Sequence, residues 1–271
     1  MMRKVFMRKF LALRRLVSEG DYEGLWFRGK WFTRELLFSE PRYQYYKRRK
    51  HDGFFVLDEE WKYLVILDAC RFDYFKRYNT IKGKLSMKLS RGSSTPEWLT
   101  RNFIEYYDDI VYVSANPYIS HTSHMGYGFV AIDHFHTISK VWDFGWDEKT
   151  KSTPPREVTD NALKLAKKYP NKRMIIHYIQ PHFPYIGNIK MPLVDMLPKF
   201  RIHPQIREAY RDNLLLVLNE AERLVKKLDG ETIISSDHGE CLGEHHILGH
   251  PSTVYVPELI NVPWLKVGVI E

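Results

Sequence analysis

The sequence predicts an α/β domain, a three-layer α/β/α sandwich built on a mostly parallel central sheet. Two β-branched apolar runs, Leu64-Val65-Ile66-Leu67 and Thr232-Ile233-Ile234, lead to acidic residues, Asp68 and Asp237. A strand buried on both faces reads as such a run, and open α/β sheets bind ligands at the carboxyl ends of their strands. Strand-like runs also alternate with stretches of helical periodicity, the order that gives a parallel sheet covered by helices. Hydrophobic residues make up 44% of the 271 and aromatics 14%, enough for a substantial core in one large domain or two small ones.

In chain order, residues 1–50 are expected to form a basic, aromatic, helical N-terminal extension, and residues 51–271 the main domain. The extension mixes Phe6, Phe10, Leu11 and Leu13 with Arg8, Arg14 and Arg15, then carries Trp26, Phe27, Trp31, Phe32, Leu36 and Leu37. Packing on the main domain is one reading. Contact with an anionic membrane surface or lipid substrate is another, because cations among large aromatics suit that interface. In the main domain, Tyr63–Asp68 is a strand and Arg71–Tyr78 a helix. Thr95–Tyr106 is a helix, with a hydroxyl residue before Pro96 and then Trp98, Leu99, Phe103 and Ile104 at helical spacing. Asp109–Ser114 is a strand ended by Asn116-Pro117. Residues 118–156 read as an irregular excursion over the site. Glu157–Lys168 is a helix, Arg173–Ile179 a strand, Pro204–Leu228 a long helix and Thr232–Ser236 a strand. Residues 239–271, with Pro251, Pro257 and Pro263, read as loops with an edge strand.

The net charge is +8, and much of the excess lies in the first 50 residues. That balance suits an anionic partner such as a phosphate ester or a lipid surface. No nucleic-acid-binding motif is present, so nucleic acid is set aside as a partner. The two cysteines, Cys70 and Cys241, read as free thiols. No run approaches the ~18 apolar residues of a spanning helix, and the basic N-terminus lacks the apolar centre of a secretory signal. The expected location is cytoplasmic, with peripheral contact at the inner face of a membrane through residues 1–50.

Four pieces are expected to meet at the carboxyl edge of the sheet. Asp68 supplies one carboxylate. Ser94 or Thr95 supplies a hydroxyl at a helix N-terminus, where partial positive charge favours an alkoxide and a bound oxyanion. Asp237 and His238 complete a divalent-metal site, for which zinc, manganese, magnesium and calcium are all candidates. A cation there would lower the hydroxyl's pKa and neutralise developing charge.

The motifs Leu67-Asp68-Ala69-Cys70-Arg71-Phe72-Asp73, Gly92-Ser93-Ser94-Thr95-Pro96-Glu97-Trp98, His177-Tyr178-Ile179-Gln180-Pro181-His182-Phe183-Pro184-Tyr185, Ser236-Asp237-His238-Gly239-Glu240 and Gly249-His250-Pro251 follow in order. Together they resemble the sulfatase-like branch of the alkaline phosphatase superfamily, over residues ~55 to 265. Within it the chain is similar to archaeal sulfatase-like proteins associated with surface-glycan genes. The resemblance implies that Asp68, Asp237, His238 and the nucleophile bind the metal. Thr95 is the first choice of nucleophile. Ser94 is close behind, because many relatives place a proline two positions after it. His182 and His250 would bind the transferred group, protonate the leaving oxygen or hold a second metal, with His177 and His246 as further candidates. His177, inside a strand, is equally well read as a packed core histidine. Arg71 would reach the substrate anion or pair with Asp73, and Glu240 would orient a metal ligand.

Departures from the family pattern shape the expectation. No Cys-x-Pro-Ser-Arg or Ser-x-Pro-Ser-Arg run is present, so the formylglycine nucleophile of true sulfatases is missing. Ala69 stands where many sulfatases carry an acidic ligand, and the Asp-x-x-x-His pair of the two-zinc phosphatases has no clear match. The expected activity is metal-dependent hydrolysis or transfer of a phosphate-type ester, on a small molecule, a glycan or a lipid-linked substrate. Turnover of sulfate esters by an unmodified hydroxyl is one alternative. A non-catalytic glycan- or lipid-binding protein that retains the fold is another.

Overall fold

A computed structural model of the chain describes residues 52–123, 128–191 and 203–268. The extension expected over residues 1–50 lies outside them. The elements are β1 (Tyr63–Leu67), α1 (Phe72–Tyr78), β2 (Gly83–Leu89), α2 (Thr95–Asn102), β3 (Tyr107–Ser114), β4 (Phe135–Lys140), α3 (Val141–Phe144), α4 (Pro155–Lys168), β5 (Arg173–Tyr178), α5 (Ile206–Val225), β6 (Thr232–Ser235), β7 (Cys241–Leu242), β8 (Leu248–Gly249), α6 (Pro257–Ile260) and β9 (Asn261–Val267). Seven strands form one sheet in the order β2-β9-β6-β1-β5-β3-β4, and β7 and β8 pair separately. The five strands from β6 to β4 are parallel, whereas β9 runs antiparallel to both β6 and β2. No helix among the described residues is long and apolar enough to cross a membrane.

The three-layer α/β/α architecture is the one the sequence predicts. Every residue of β1 is buried, which is why Tyr-Leu-Val-Ile-Leu shows no polar alternation. Its side chains still divide between two faces. Tyr63, Val65 and Leu67 share a core with Phe75 of α1, Val158 of α4 and Leu214 of α5. Leu64 and Ile66 share the opposite core with Trp98 and Leu99 of α2 and with Phe103. The site described below lies at the carboxyl edge, on the α2 face.

Three expectations are corrected. The excursion over 118–156 contains β4 and α3. β4 closes one edge of the sheet, where only Phe135 is fully buried, so the sequence Phe-His-Thr-Ile-Ser-Lys lacks the signature of an interior strand. The strand expected at an edge near the C-terminus is β9, and it lies inside, between β2 and β6. Pro263 hid it, since proline removes a ladder donor. The β6 ladder stops at the Ser235–Trp264 pair and does not reach Pro263, so the missing proline N–H removes no bond to β6. The edge on that side is β2, a half-exposed strand over Lys84-Leu85-Ser86-Met87-Lys88-Leu89, whose polar/apolar alternation is a strand signal that the expectation above did not use. The helix expected to reach Tyr106 stops at Asn102. There Asn102 Nδ2 donates to the Trp98 carbonyl at 2.9 Å and its Oδ1 accepts the Val56 N–H at 3.2 Å, a side chain competing with the helical backbone.

Candidate active site

Three adjacent parallel strands, β6, β1 and β5, end side by side. Asp68 follows the last residue of β1, His177 is the penultimate residue of β5, and Asp237 and His238 lie just past β6. β3 adds Asn116 two residues beyond its end, and the N-terminus of α2 brings Thr95. Gly92 lets the turn before α2 fold tightly, since a Cβ there would lie 2.4 Å from the Trp98 nitrogen. All six of these side chains are buried.

The end of β1 is fixed by unusual backbone. Ala69 has φ +59°, a left-handed conformation that costs a non-glycine residue on the order of 1–2 kcal/mol. That turn points its N–H at Asp237 Oδ1, 3.2 Å away, while its carbonyl accepts the Tyr210 hydroxyl at 2.6 Å. Ser236 stitches the neighbouring ends together: its Oγ donates to the Leu67 carbonyl at 2.6 Å and accepts the Cys70 N–H at 2.8 Å.

Asp237 Oδ1 also accepts the His238 N–H at 2.9 Å, and its Oδ2 accepts the Thr95 hydroxyl at 2.7 Å. His238 Nδ1 lies 2.8 Å from the Gly239 carbonyl, so Nδ1 carries the proton and Nε2 presents a lone pair, 3.3 Å from Thr95 Oγ1 and 3.7 Å from Asp68 Oδ1. Burial holds His238 below the usual histidine range, which keeps it neutral. His177 Nδ1 faces the Tyr112 hydroxyl at 2.9 Å, and its Nε2 points at Asp68 Oδ2 and Asp237 Oδ2, 3.6 and 3.8 Å away. Burial works against the Asp68 carboxylate, but His182, His177 and His238 outweigh it and hold its carboxyl below the usual range.

Two buried atoms at this centre have no hydrogen-bond partner, Asp68 Oδ1 and His177 Nε2. Buried polar atoms are nearly always paired, and a divalent cation bound among these side chains would give both atoms a partner. One ligand atom each from Asp68, His177 and Asp237 lies within 4.8 Å of the others. Two carboxylates and two imidazoles, with second nitrogens held by the Gly239 carbonyl and the Tyr112 hydroxyl, therefore fit a divalent ion.

A second cluster adjoins the first. The short β7–β8 hairpin pairs Cys241 with Gly249, which brings Glu240 beside His250. Glu240 carboxylate oxygens lie 3.1 and 3.2 Å from His250 Nδ1. Burial pushes His250 down, but Glu240 outweighs it and lifts its pKa to about 9, so His250 is an imidazolium at neutral pH. Ring centroids of His182 and His250 are 4.9 Å apart, and those of His238 and His250 are 4.4 Å apart.

The structure separates the other candidates. Ser94 is the N-cap of α2, and its hydroxyl is engaged with Ser252 Oγ at 2.6 Å, whereas Thr95 points into the cluster. Arg71 is closed in an ion-pair network with Asp73 at 2.8 Å and Glu244 at 2.9 Å, so its guanidinium is engaged within the protein. His246 is exposed on the Glu244–His246 turn, outside the buried cluster. His177 is a packed strand histidine whose Nε2 also faces the Asp68 and Asp237 carboxylates. Asn116 was missed. Its Nδ2 lies 2.5 Å from Asp68 Oδ2 and 3.3 Å from Thr95 Oγ1. The signal was present, a polar side chain just past a buried strand, but Asn116-Pro117 also reads as a simple strand terminator.

No protein-family model matches the chain. Among curated proteins it is similar to the low-salt glycan biosynthesis sulfotransferase Agl7 of Haloferax volcanii, at 29% identity over 149 residues, covering 47% of this chain and 36% of that one. The chain thus spans about a third of that relative's length. Among solved structures it is similar to the soluble domain of lipooligosaccharide phosphoethanolamine transferase A from Neisseria meningitidis, at 14% identity and TM-score 0.51, covering 75% of each chain. The chain has the alkaline-phosphatase-like fold, and the motifs that carry its resemblance to the sulfatase-like branch gather at the carboxyl edge of its sheet.

Proposed function

We propose that this protein is a metal-dependent enzyme of the sulfatase-like kind that hydrolyses or transfers a phosphate-type ester on a glycan or lipid-linked substrate. The observation that carries the reading is the placement of Thr95 Oγ1, 2.7 Å from Asp237 Oδ2 and 3.3 Å from His238 Nε2. Asp68, Asp237, His238 and His177 would hold the divalent cation, which when bound supplies positive charge beside the nucleophile and the transferred group.

In this reading Thr95, whose hydroxyl is held by Asp237 Oδ2 at 2.7 Å, gives up its proton to solvent water and its oxygen attacks phosphorus in line. A Thr–O–P bond forms as the ester P–O bond breaks. His250, charged through its pairing with Glu240, donates a proton to the departing oxygen, with His182 alongside to bind the transferred group. Water or an acceptor hydroxyl then attacks the phospho-threonine and gives its proton to the now neutral His250, the Thr–O–P bond breaks, and the threonine oxygen takes up a proton from solvent water, which completes hydrolysis or transfer and restores the site. Asn116 Nδ2 steadies both Asp68 and the threonine oxygen. Support for glycan or lipid acceptors comes from the relatives' own names, a sulfotransferase of glycan biosynthesis and a lipooligosaccharide phosphoethanolamine transferase.

The sulfotransferase name favours a second reading, in which the transferred group is sulfuryl. Aryl phosphate mono- and diesters and an aryl sulfate, assayed with metal-stripped protein and added Mn, Zn, Mg or Ca, test both. The expected result is metal-dependent phosphate-ester turnover, reduced about 10³-fold or more by Thr95→Ala and far less by Ser94→Ala. Faster turnover of the sulfate ester supports the second reading. Equal loss in the two hydroxyl variants overturns the choice of Thr95, and no turnover with any metal overturns the enzyme reading.

A further inference from the structure

One buried carboxylate near the site takes no part in the chemistry above. Glu97, two residues after Thr95 in α2, has a side chain only 10% exposed. Its Oε2 accepts the Ser93 N–H at 3.0 Å and lies 3.1 Å from Ser93 Oγ. The same oxygen accepts the Thr253 N–H at 3.1 Å, from a loop 156 residues away in sequence. Its Oε1 accepts the Tyr255 hydroxyl and lies 3.5 Å from Arg101 Nη1. Burial and then the Glu97 carboxylate push the Tyr255 phenol above its usual range, so it stays protonated and donates.

The loop on the far side of Glu97 is the one that follows His250. It is bound to the turn before Thr95 at three further points: Ser93 Oγ to the Pro251 carbonyl at 2.9 Å, the Val254 N–H to Ser93 Oγ at 3.2 Å, and Ser94 to Ser252. Thr253 has φ +63°, a left-handed conformation that a β-branched residue rarely adopts. Such a residue keeps that conformation only where its surroundings over-determine it, and here the Thr253 N–H is held by Glu97.

We propose that Glu97 is a positioning residue that clamps the nucleophile turn to the His250 loop, so that Thr95 and His250 keep one fixed separation. The inference rests on the proposed roles of Thr95 and His250. The carboxylate is suited to the task because one oxygen can accept from both segments at once and ionised acceptors bind more strongly than neutral ones. An alanine cannot bridge them. A glutamine keeps one carbonyl oxygen for Ser93 and Thr253.

Two measurements test it. Hydrogen exchange read by mass spectrometry on Glu97→Ala is expected to show faster exchange in residues 92–98 and also in residues 250–256, with Glu97→Gln close to wild type. Tyr255→Phe, a milder change, is expected to give the same two-segment pattern at smaller amplitude. In the aryl-ester assay, Glu97→Ala is expected to lower kcat by about 10- to 100-fold with KM little changed, the effect of misplacing a reacting group by about 1 Å. Glu97→Gln is expected to recover most of that loss. Faster exchange confined to residues 92–98 in both Glu97→Ala and Tyr255→Phe overturns the clamp, as does a loss shared equally by Glu97→Ala and Glu97→Gln. If wild-type protein turns over no ester, the functional reading fails while the exchange pattern still decides the clamp.

Discussion

Asn116 offers a direct test of the metal centre without any substrate. Its carboxamide can face only one way: Oδ1 accepts the Tyr118 N–H at 2.9 Å, so Nδ2 is the group aimed at Asp68 and Thr95. Asp68 Oδ1 already lacks a partner, and Asn116 is the hydrogen-bond donor on Oδ2. Asn116→Ala therefore leaves a buried carboxylate with no hydrogen-bond donor on either oxygen. A hydrogen bond to an ionised group contributes about 1.5–3 kcal/mol, and each kcal/mol moves the melting temperature of a domain this size by about 2–4 °C. The expected loss in chelator is thus roughly 3–12 °C. Asn116→Asp, nearly isosteric, replaces the donor with a third carboxylate beside Asp68 and Asp237. It should melt at least as low in chelator, and should gain more than wild type when a divalent cation is added, because the ion relieves the added repulsion. Scanning calorimetry in EDTA and then in excess Mn or Zn provides the comparison. If Asn116→Ala melts with wild type in EDTA, or Asn116→Asp responds to metal no more than wild type does, the assignment of Asn116 and of a cation beside Asp68 is wrong.

Two further outcomes concern the frame around the site. Trp98 is fully buried on α2, edge-on to Phe103 with ring centroids 5.4 Å apart. Trp98→Ala is expected to cost about 3–5 kcal/mol in urea unfolding, and a loss below about 1 kcal/mol would contradict the packing described. Glu244 bridges Arg71 and Arg207 at 2.9 and 2.7 Å. Burial raises its pKa, but Arg71 outweighs burial and lowers it from 4.5 to about 2. Its contribution to stability is present above pH 4.5 and is lost as pH falls toward 2. The melting-temperature gap between wild type and Glu244→Gln should therefore be widest near neutral pH and narrow across that window. A gap that stays constant from pH 7 to about pH 2 refutes the pairing.

Much of the centre was legible because it obeys strand logic. Asp68 and Asp237 announce themselves as acids ending apolar runs, and the sheet places them side by side as expected. Thr95 was readable as the hydroxyl before Pro96, but only the three-dimensional turn separates it from Ser94, since both lie at the helix start and differ in which way the side chain faces. His177 was ambiguous for a physical reason: a strand histidine looks the same in sequence whether its second nitrogen meets core or ligand, and here Tyr112 takes one nitrogen while the other faces the carboxylates. Arg71 was readable as either anion binder or ion-pair partner. Glu244, 173 residues away, tips the balance, and nothing local reports it. The edge strand β4 escaped notice because a half-exposed strand needs no apolar run, and β9 because a proline interrupts it, whereas β2 was legible in the alternation of Leu85, Met87 and Leu89 with Lys and Ser and went unread.

The register of the sheet carries a consequence for the choice of ion. Leu67 pairs with Tyr178 and Ile66 with both His177 and Ser235, so the donors Asp68, His177 and Asp237 sit on neighbouring strands near the same rung. Parallel strands lie about 4.8 Å apart whatever their side chains. The distance between donors is accordingly set by peptide hydrogen bonding, with little freedom to widen or contract around ions of different radius. Selectivity in such a centre falls to the chemical hardness of the donors, and exchanging imidazole for carboxylate at position 177 is the change that would move it from nitrogen-seeking toward oxygen-seeking metals. A slip of one residue in β5 would turn the histidine to the opposite face altogether, so the fidelity of strand pairing during folding is also the fidelity of the metal centre.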